Sequence, residues 1–139
     1  MKLLIINGAN LNLLGKREPT IYGSTDFDSF FANLLDQFPA VDLNFFQSNI
    51  EGELVDMLQE ADLDQYDGII LNSGGYTHTS VAIADAVAAI ETPVIEVHIS
   101  NIFSREEFRK TSLTAPHCKG LICGFGLTGY TLAIQSFLK

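Results

Sequence analysis

Five short runs of apolar residues recur along the chain, separated by segments whose apolar residues follow a helical period. The first run, Leu3 to Ile6, is continuous rather than alternating, which is typical of a strand covered on both faces. The predicted strands are 3–6, 41–46, 68–71, 94–99 and 121–125. The predicted helices are 26–38, 51–61, 79–90 and 130–138, with Ser48 or Asn49 as the expected cap of the second.

This alternation predicts an α/β fold in which a doubly wound, five-stranded parallel sheet carries helices on both faces. Parallel neighbours need a crossover connection, and the crossover is usually a helix. Two long segments, 8–24 and 100–120, lack a helical pattern, and each follows a predicted strand. We therefore expect them at the carboxyl edge of the sheet, where open α/β folds bind their ligands.

Composition adds three expectations to this single domain of 139 residues. A net charge of −9 opposes broad affinity for nucleic acid or anionic membranes, and no apolar run is long enough for a membrane span. The hydrophobic share of 47% is high for a chain that must cover its own surface, which favours a homo-oligomer. Cys118 and Cys123 lack redox or zinc spacing, so we expect reduced thiols in a cytoplasmic protein.

All three arginines of the chain, Arg17, Arg105 and Arg109, lie in the two long segments. In so acidic a chain, guanidinium groups at the carboxyl edge favour a small anionic ligand, although solvated or interface ion pairs are an equally ordinary explanation. Tyr22 follows Arg17 closely, and a nearby cation lowers the pKa of a tyrosine, so this pair can form a phenolate base. A tyrosine that merely closes a loop explains the same spacing.

Polar residues interrupt the fourth predicted strand. Glu96, His98 and Ser100 share one strand face, with successive residues about 6.6 Å apart. Glu96 can then fix the tautomer of His98, which would act as an acid or base; a hydrogen-bonded core histidine is the alternative. Polar residues in a buried strand are costly unless partnered, which favours the functional interpretation.

The segment from Asn72 to Ser80 joins the third strand to a helix through Gly74 and Gly75. Its small polar side chains, together with helix N-terminal amides, favour a carboxylate or phosphate. Plain helix capping by Thr77 or Thr79 is the alternative. The lysine of a P-loop is missing, so a nucleotide site of that type is excluded.

Taken together, these segments resemble the type II 3-dehydroquinate dehydratases over nearly the whole chain. The markers in order are N-G-A-N-L-N-L-L-G, R-E-P-T-I-Y-G-S, Q-S-N-I-E-G-E-L, Y-T-H-T-S, E-V-H-I-S-N, R-E-E-F-R and G-F-G-L-T-G-Y. The resemblance implies a flavodoxin-like fold, a lid at about 15–24, and a homododecamer built as four trimers. It also implies a lyase of the shikimate pathway that converts 3-dehydroquinate to 3-dehydroshikimate by anti elimination through an enolate, without metal or cofactor.

The same resemblance implies residue roles. Tyr22 would be the base, Arg17 would favour its phenolate, and Asn10 would hold a water that stabilises the enolate. His98, backed by Glu96, would protonate the departing hydroxyl. The expected substrate-binding residues are Asn72, Ser100 and the Ile99 backbone N–H for the carboxylate, His78 and Arg109 for ring hydroxyls, and Asp85 from a neighbouring subunit.

The chain departs from the family pattern at Ala9, Ile50, Ser73 and the segment 110–117. None of these departures removes a residue with an implied chemical role. Two other interpretations stay open from the sequence. One is a flavin-binding or small-anion-binding module of the same architecture, and the other is an inactive homologue retained as a scaffold.

Overall fold

The computed structural model describes residues 1–16, 18–22 and 24–139, without the side chain of Tyr22. Its five strands form one parallel sheet in the order β2-β1-β3-β4-β5. The strands are β1 Lys2–Asn7, β2 Asp42–Gln47, β3 Gly68–Asn72, β4 Val94–His98 and β5 Gly120–Cys123. The helices are α1 Pro19–Tyr22, α2 Phe27–Gln37, α3 Glu51–Leu63, α4 Val81–Ala89 and α5 Thr128–Phe137.

Strand alternation divides the interior into two cores. Leu3 and Ile5 of β1 face the core covered by α2 and α5, whereas Leu4 and Ile6 face the core covered by α3 and α4. Because successive strand residues point to opposite faces, both faces of β1 must be apolar. The continuous apolar run that predicted β1 is explained by this double coverage, and the predicted doubly wound sheet is confirmed.

The chain reverses direction in the sheet order between β1 and β3, since β2 lies on the outer side of β1. Asn7 and Asn72, the last residues of the two strands, are paired in register. The segments that follow these strands diverge at this point and leave a crevice, which is where open α/β sheets bind ligands. The sheet order therefore fixes the position of the site.

The prediction that 8–24 and 100–120 lack helices was wrong in detail. The first segment contains α1 and a 3-10 turn at Leu11–Leu13. The second contains 3-10 turns at Ile102–Ser104, Glu107–Lys110 and Ala115–His117. Turns of three or four residues are too short to show a hydrophobic period, so pattern analysis does not detect them.

Two helix starts also differ from expectation. Ser80, not Thr77 or Thr79, caps α4, and its Oγ accepts a hydrogen bond from the Ile83 N–H at 2.9 Å. Thr77 lies in a 3-10 turn at Gly74–His78, where its hydroxyl is 2.7 Å from the Ser73 hydroxyl. Ile50 occupies the cap position of α3, although the predicted Ser48 still accepts from the Ile50 N–H at 3.0 Å.

A close backbone contact holds the ends of β1 and β3 together at Gly8. The Gly8 N–H donates to the Asn72 carbonyl at 2.7 Å, and a Cβ at Gly8 would lie 2.4 Å from the Ser73 carbonyl oxygen. Only glycine fits so near to a backbone atom. The crevice between the two strands thus depends on this residue.

We expect Gly8→Ala to lower the free energy of unfolding by about 1–3 kcal/mol, because the added methyl group must push two backbone segments apart. Gly52→Ala in α3 is the matched control, since a Cβ there meets no atom within 4 Å. That control should be as stable as the parent chain or more so. Denaturant unfolding measures both variants, and equal stability for the two would contradict the close contact.

Candidate active site

A cavity opens at the carboxyl ends of β1, β3 and β4, next to the crevice at the switch in strand order. Residues from three connecting segments line it: Ala9, Asn10, Leu11, Asn72, Gly74, Gly75, His78, His98, Ile99, Ser100, Ile102, Arg105 and Arg109. Seven residues with predicted roles are therefore brought together: Asn10, Asn72, His78, His98, Ile99, Ser100 and Arg109. An eighth, Glu96, lies directly behind His98.

Glu96 and His98 form a buried pair on the face of β4 that the sequence predicted. His98 Nε2 lies 2.8 Å from Glu96 Oε2, and the two side chains are 6% and 0% exposed. A carboxylate only accepts hydrogen bonds, so Nε2 is the donor. Nδ1 is then the ring atom through which His98 can exchange a proton with a ligand.

Two hydroxyl groups complete the environment of the Glu96 carboxylate. Ser112 Oγ donates to Oε1 and Oε2 at 3.0 and 2.9 Å, and Thr114 Oγ1 donates to Oε1. Burial by itself raises the pKa of Glu96, but hydrogen bonds from His98, Thr114 and Ser112 and the charge of His98 outweigh it and lower that pKa. Glu96 is therefore a carboxylate, and its hydrogen bond with Nε2 holds the His98 ring in one orientation.

His78 lies beside His98 in the cavity wall. The two rings are stacked at 23° with their centroids 6.2 Å apart. His78 Nδ1 lies 2.7 Å from the Thr111 carbonyl oxygen. Because a carbonyl only accepts, Nδ1 carries the proton, and in the neutral ring Nε2 is the acceptor. His78 is thus prepared to accept a hydrogen bond from a ligand hydroxyl.

Asn10 has the left-handed backbone conformation, with φ 69° and ψ 0°, which asparagine tolerates better than most residues. Its N–H donates to Asn49 Oδ1 at 2.9 Å, and Gln47 Nε2 donates to the same oxygen at 3.2 Å. Asn49 therefore holds the backbone of Asn10 in place from the segment that follows β2.

The cavity is cationic on the side formed by Arg105 and Arg109. Arg105 Nη1 donates to Ser100 Oγ at 3.2 Å, and Arg109 Nε donates to Glu106 Oε2 at 2.8 Å. The hydrogen bond from Arg109 lowers the pKa of Glu106, which stays ionised and orients that guanidinium group. Two guanidinium groups in a chain of net charge −9 favour an anionic ligand, as the sequence predicted.

Three further residues with predicted roles are not among the described side chains that line the cavity. Arg17 lies outside the described residues, and the side chain of Tyr22 is likewise not described. Asp85 is exposed on α4 and does not belong to the cavity lining found in the described part of the chain. A second hollow, shared by Thr20 and Ile21 of α1 with Ile99, Ser100 and Arg105, places α1 beside the end of β4.

The sequence profile of the family described as Dehydroquinase class II matches residues 1–138. The chain belongs to this family. A 3-dehydroquinate dehydratase of Fusobacterium nucleatum subsp. nucleatum is 52% identical over 100% of this chain and 97% of its own. The crystal structure of the type II dehydroquinase from Butyrivibrio crossotus has a TM-score of 0.97 at 45% identity, covering 100% of this chain and 98% of that one. The type II dehydroquinase structure from Propionibacterium acnes has a TM-score of 0.93 at 39% identity, covering 97% and 94%.

Membership of the class II dehydroquinase family confirms the resemblance drawn from the seven markers and the fold that it implied. The flavin-binding interpretation has no support from these relatives. In the described residues, no helix is both long and apolar enough to cross a membrane.

Sequence reasoning missed four polar residues of this dehydroquinase site. Asn49 and Tyr130 lie inside two of the markers, Q-S-N-I-E-G-E-L and G-F-G-L-T-G-Y, but nothing in their spacing indicated what they contact. Ser112 and Thr114 lie in the segment 110–117, which departs from the family pattern, and they contact Glu96 16 and 18 residues away. Only the folded structure brings Ser112 and Thr114 into contact with Glu96.

We expect Thr114→Val to raise the pKa of Glu96 and move the acid limb of the kcat/KM profile to higher pH, because the carboxylate loses a donor. The same loss should reduce stability at neutral pH by about 1–3 kcal/mol. Since the pKa of Glu96 in the folded chain lies below its ordinary value, the stabilisation from this bond is present above the ordinary value and is lost as pH falls through the folded pKa. The stability difference should therefore narrow in acid.

Thr92→Val is the matched control for this prediction. Thr92 Oγ1 donates to Asp62 Oδ1 at 2.7 Å before β4 begins, so the variant loses the same kind of bond away from the cavity. It should lose stability without moving the acid limb. An unchanged pH profile for Thr114→Val would show that Thr114 does not act on the Glu96–His98 pair.

Proposed function

We propose that this chain dehydrates 3-dehydroquinate to 3-dehydroshikimate by anti elimination through an enolate, with the proton transfers carried by its own side chains. The dehydratase activity follows from the family and from relatives with that name. The observation that carries the proposed mechanism is the buried Glu96–His98 pair in the wall of a cavity that also holds amide and guanidinium donors.

Asn72, Ser100 and the Ile99 backbone N–H receive the substrate carboxylate in this proposal. Asn72 and Ile99 are 3% and 4% exposed, so a carboxylate bound to them exchanges water for fixed donors. Arg105, which donates to Ser100, adds positive charge on the same side. A charge-assisted hydrogen bond to a carboxylate is about twice as strong as a neutral one.

His78 and Arg109 bind the ring hydroxyls. The acceptor at His78 Nε2 suits a hydroxyl proton, and the guanidinium group of Arg109 suits a hydroxyl oxygen. The stacking of His78 on His98 supports binding of these hydroxyls next to the proposed acid. The ring is thereby oriented with its departing hydroxyl toward His98, which is the geometric requirement for general acid catalysis.

Elimination begins when the Tyr22 phenolate, favoured by Arg17, removes a proton from the carbon next to the ketone. The electron pair of that C–H bond moves into the ring and makes the enolate, whose oxygen charge a water held by Asn10 stabilises. The enolate then reforms the ketone and expels the hydroxyl, which His98 protonates through Nδ1. Glu96, bonded to Nε2, holds the His98 ring in the orientation that this transfer needs.

The segment at about 15–24 is proposed to act as a lid that brings Tyr22 to the substrate. Support comes from α1, whose Thr20 and Ile21 share a hollow with the carboxyl end of β4. Gly15 has φ 91°, a conformation that glycine adopts readily, and it marks the start of the segment. Lid closure excludes water and completes a catalytic site.

The decisive assay is ultraviolet absorbance after chelator-treated protein is mixed with 3-dehydroquinate. The conjugated enone of 3-dehydroshikimate should appear without added metal or cofactor. Failure to form it, with protein that is folded and assembled, would overturn the proposed function and favour the scaffold interpretation.

Tyr22→Phe should lower kcat by about 10²-fold or more, since general acid–base catalysis contributes about 10²–10⁴-fold. Substrate binding, measured by calorimetry, should stay within a few-fold because the other binding groups are intact. Tyr66→Phe is the matched control and should keep full activity, because Tyr66 precedes β3 at the amino end of the sheet, where Lys2 Nζ lies 4.2 Å from its ring centroid. Near-normal kcat in Tyr22→Phe would remove Tyr22 as the base.

The assembly is proposed to be a dodecamer of four trimers in the cytoplasm. Exposed apolar side chains support association, because Phe103, Phe108 and Phe125 are 52%, 61% and 62% exposed. Asp85, exposed on α4, is proposed to reach the site of a neighbouring subunit. The free thiols Cys118 and Cys123 support a reducing compartment.

Sedimentation should give a mass twelve times that of the 15.2 kDa chain. If Asp85 acts across an interface, Asp85→Ala and His98→Asn subunits should each be poorly active, and mixed assemblies should regain part of the activity. Mixing Asn10→Ala with His98→Asn is the control, because both residues line the cavity of one chain. Equal behaviour of the two mixtures would contradict the role of Asp85.

A further inference from the structure

Three polar side chains form a continuous chain in the interior where β1, β3 and α5 meet. Asn7 and Tyr130 are 0% exposed, and Asn72 is 3% exposed. Tyr130 Oη donates to Asn7 Oδ1 at 2.7 Å, and Asn72 Nδ2 donates to Tyr130 Oη at 2.9 Å. Of these three residues, only Asn72 lines the cavity.

The contacts fix which way the Asn72 amide is turned. Asn72 Oδ1 accepts from the Gly74 N–H at 3.2 Å, so this atom is the oxygen and the atom facing Tyr130 is the nitrogen. Tyr130 has one proton, and that proton goes to Asn7 Oδ1. Burial raises the pKa of Tyr130, so the phenol keeps this proton.

A primary amide nitrogen has two N–H groups. One N–H of Asn72 goes to Tyr130, and the other is the donor that Asn72 can offer to a ligand in the cavity. A flipped amide would offer a carbonyl oxygen instead, which repels an anion. The Tyr130 hydroxyl donates its only proton to Asn7. It can therefore accept a hydrogen bond from Asn72 but cannot donate one to it, and this disfavours the flipped Asn72 amide.

We propose that Tyr130 is a positioning residue that, through its bond from Asn72 and its bond to Asn7, keeps an N–H of Asn72 available to the substrate carboxylate. This inference rests on the proposed carboxylate-binding role of Asn72. It explains why a hydroxyl lies at the centre of an otherwise apolar contact, where the Tyr130 ring packs edge-on to Phe27 at 5.1 Å.

Tyr130→Phe tests the proposal, because phenylalanine keeps the ring packing and removes only the hydroxyl. The parent chain must first convert 3-dehydroquinate, and its failure there would count against the proposed function rather than against Tyr130. In the variant, KM should rise about tenfold or more while kcat stays within about threefold, since binding common to the ground state and the transition state is lost. Tyr66→Phe is the control and should leave both constants unchanged.

A double-mutant cycle separates positioning from general support of the fold. In an Asn72→Ala background, Tyr130→Phe should raise KM no further, because the amide that it orients is gone. Additive effects, or an unchanged KM in the single variant, would overturn the proposal. A lower thermal midpoint with unchanged KM would mean that Tyr130 only stabilises the core, and this result would also overturn the proposal.

Asn7→Ala supplies a second variant in which the Tyr130 hydroxyl is retained. Without its acceptor, the hydroxyl can turn its proton toward Asn72 and favour the flipped amide, so KM should again rise. Binding of quinate and of its carboxamide, measured by calorimetry, gives a further readout. The parent chain should prefer the carboxylate, and both variants should lose that preference; a retained preference would overturn the proposal.

Discussion

The burial of one carboxylate, that of Glu96, is the constraint on which the rest of the site depends. A charge at 0% exposure persists only when its oxygens are hydrogen-bonded, and His98, Ser112 and Thr114 supply these bonds. The two hydroxyls attach the long segment after β4 to the sheet. That attachment places the Thr111 carbonyl where it fixes the tautomer of His78. One buried charge thus orders His98, His78 and the cavity wall between them.

The sheet supplies the second requirement, which is a rigid frame with an opening. Apolar side chains cover both faces of the sheet, and the buried polar side chains of the strands lie at or near their carboxyl ends. Asn7 and Asn72 end β1 and β3, and Glu96 lies two residues before the end of β4; all three are buried and therefore need internal partners. Their partners come from distant parts of the chain, including Tyr130 on the last helix. The frame and the site are consequently stabilised by the same contacts.

Membership of the class II dehydroquinase family relates these contacts to the elimination of water. Elimination of water needs a base, an acid and a group that stabilises the intermediate charge, and the Glu96–His98 pair has the geometry proposed for the acid. Glu96 holds one nitrogen of His98 and leaves the other for proton transfer. Departures from the family pattern at 110–117 do not weaken this arrangement, since Ser112 and Thr114 from that segment bind Glu96.

The sequence by itself determined the strand and helix alternation, the carboxyl-edge site and the Glu96–His98 pairing, because all three follow from periodicity along a single segment. It did not determine the short turns in the long segments, since three or four residues carry no period. Only the tertiary structure decided that Ser112 and Thr114 bind Glu96, that Asn49 holds Asn10, and that Tyr130 joins Asn7 to Asn72. Such contacts join residues as far as 123 positions apart, and they depend on where strand order and crossovers place each segment.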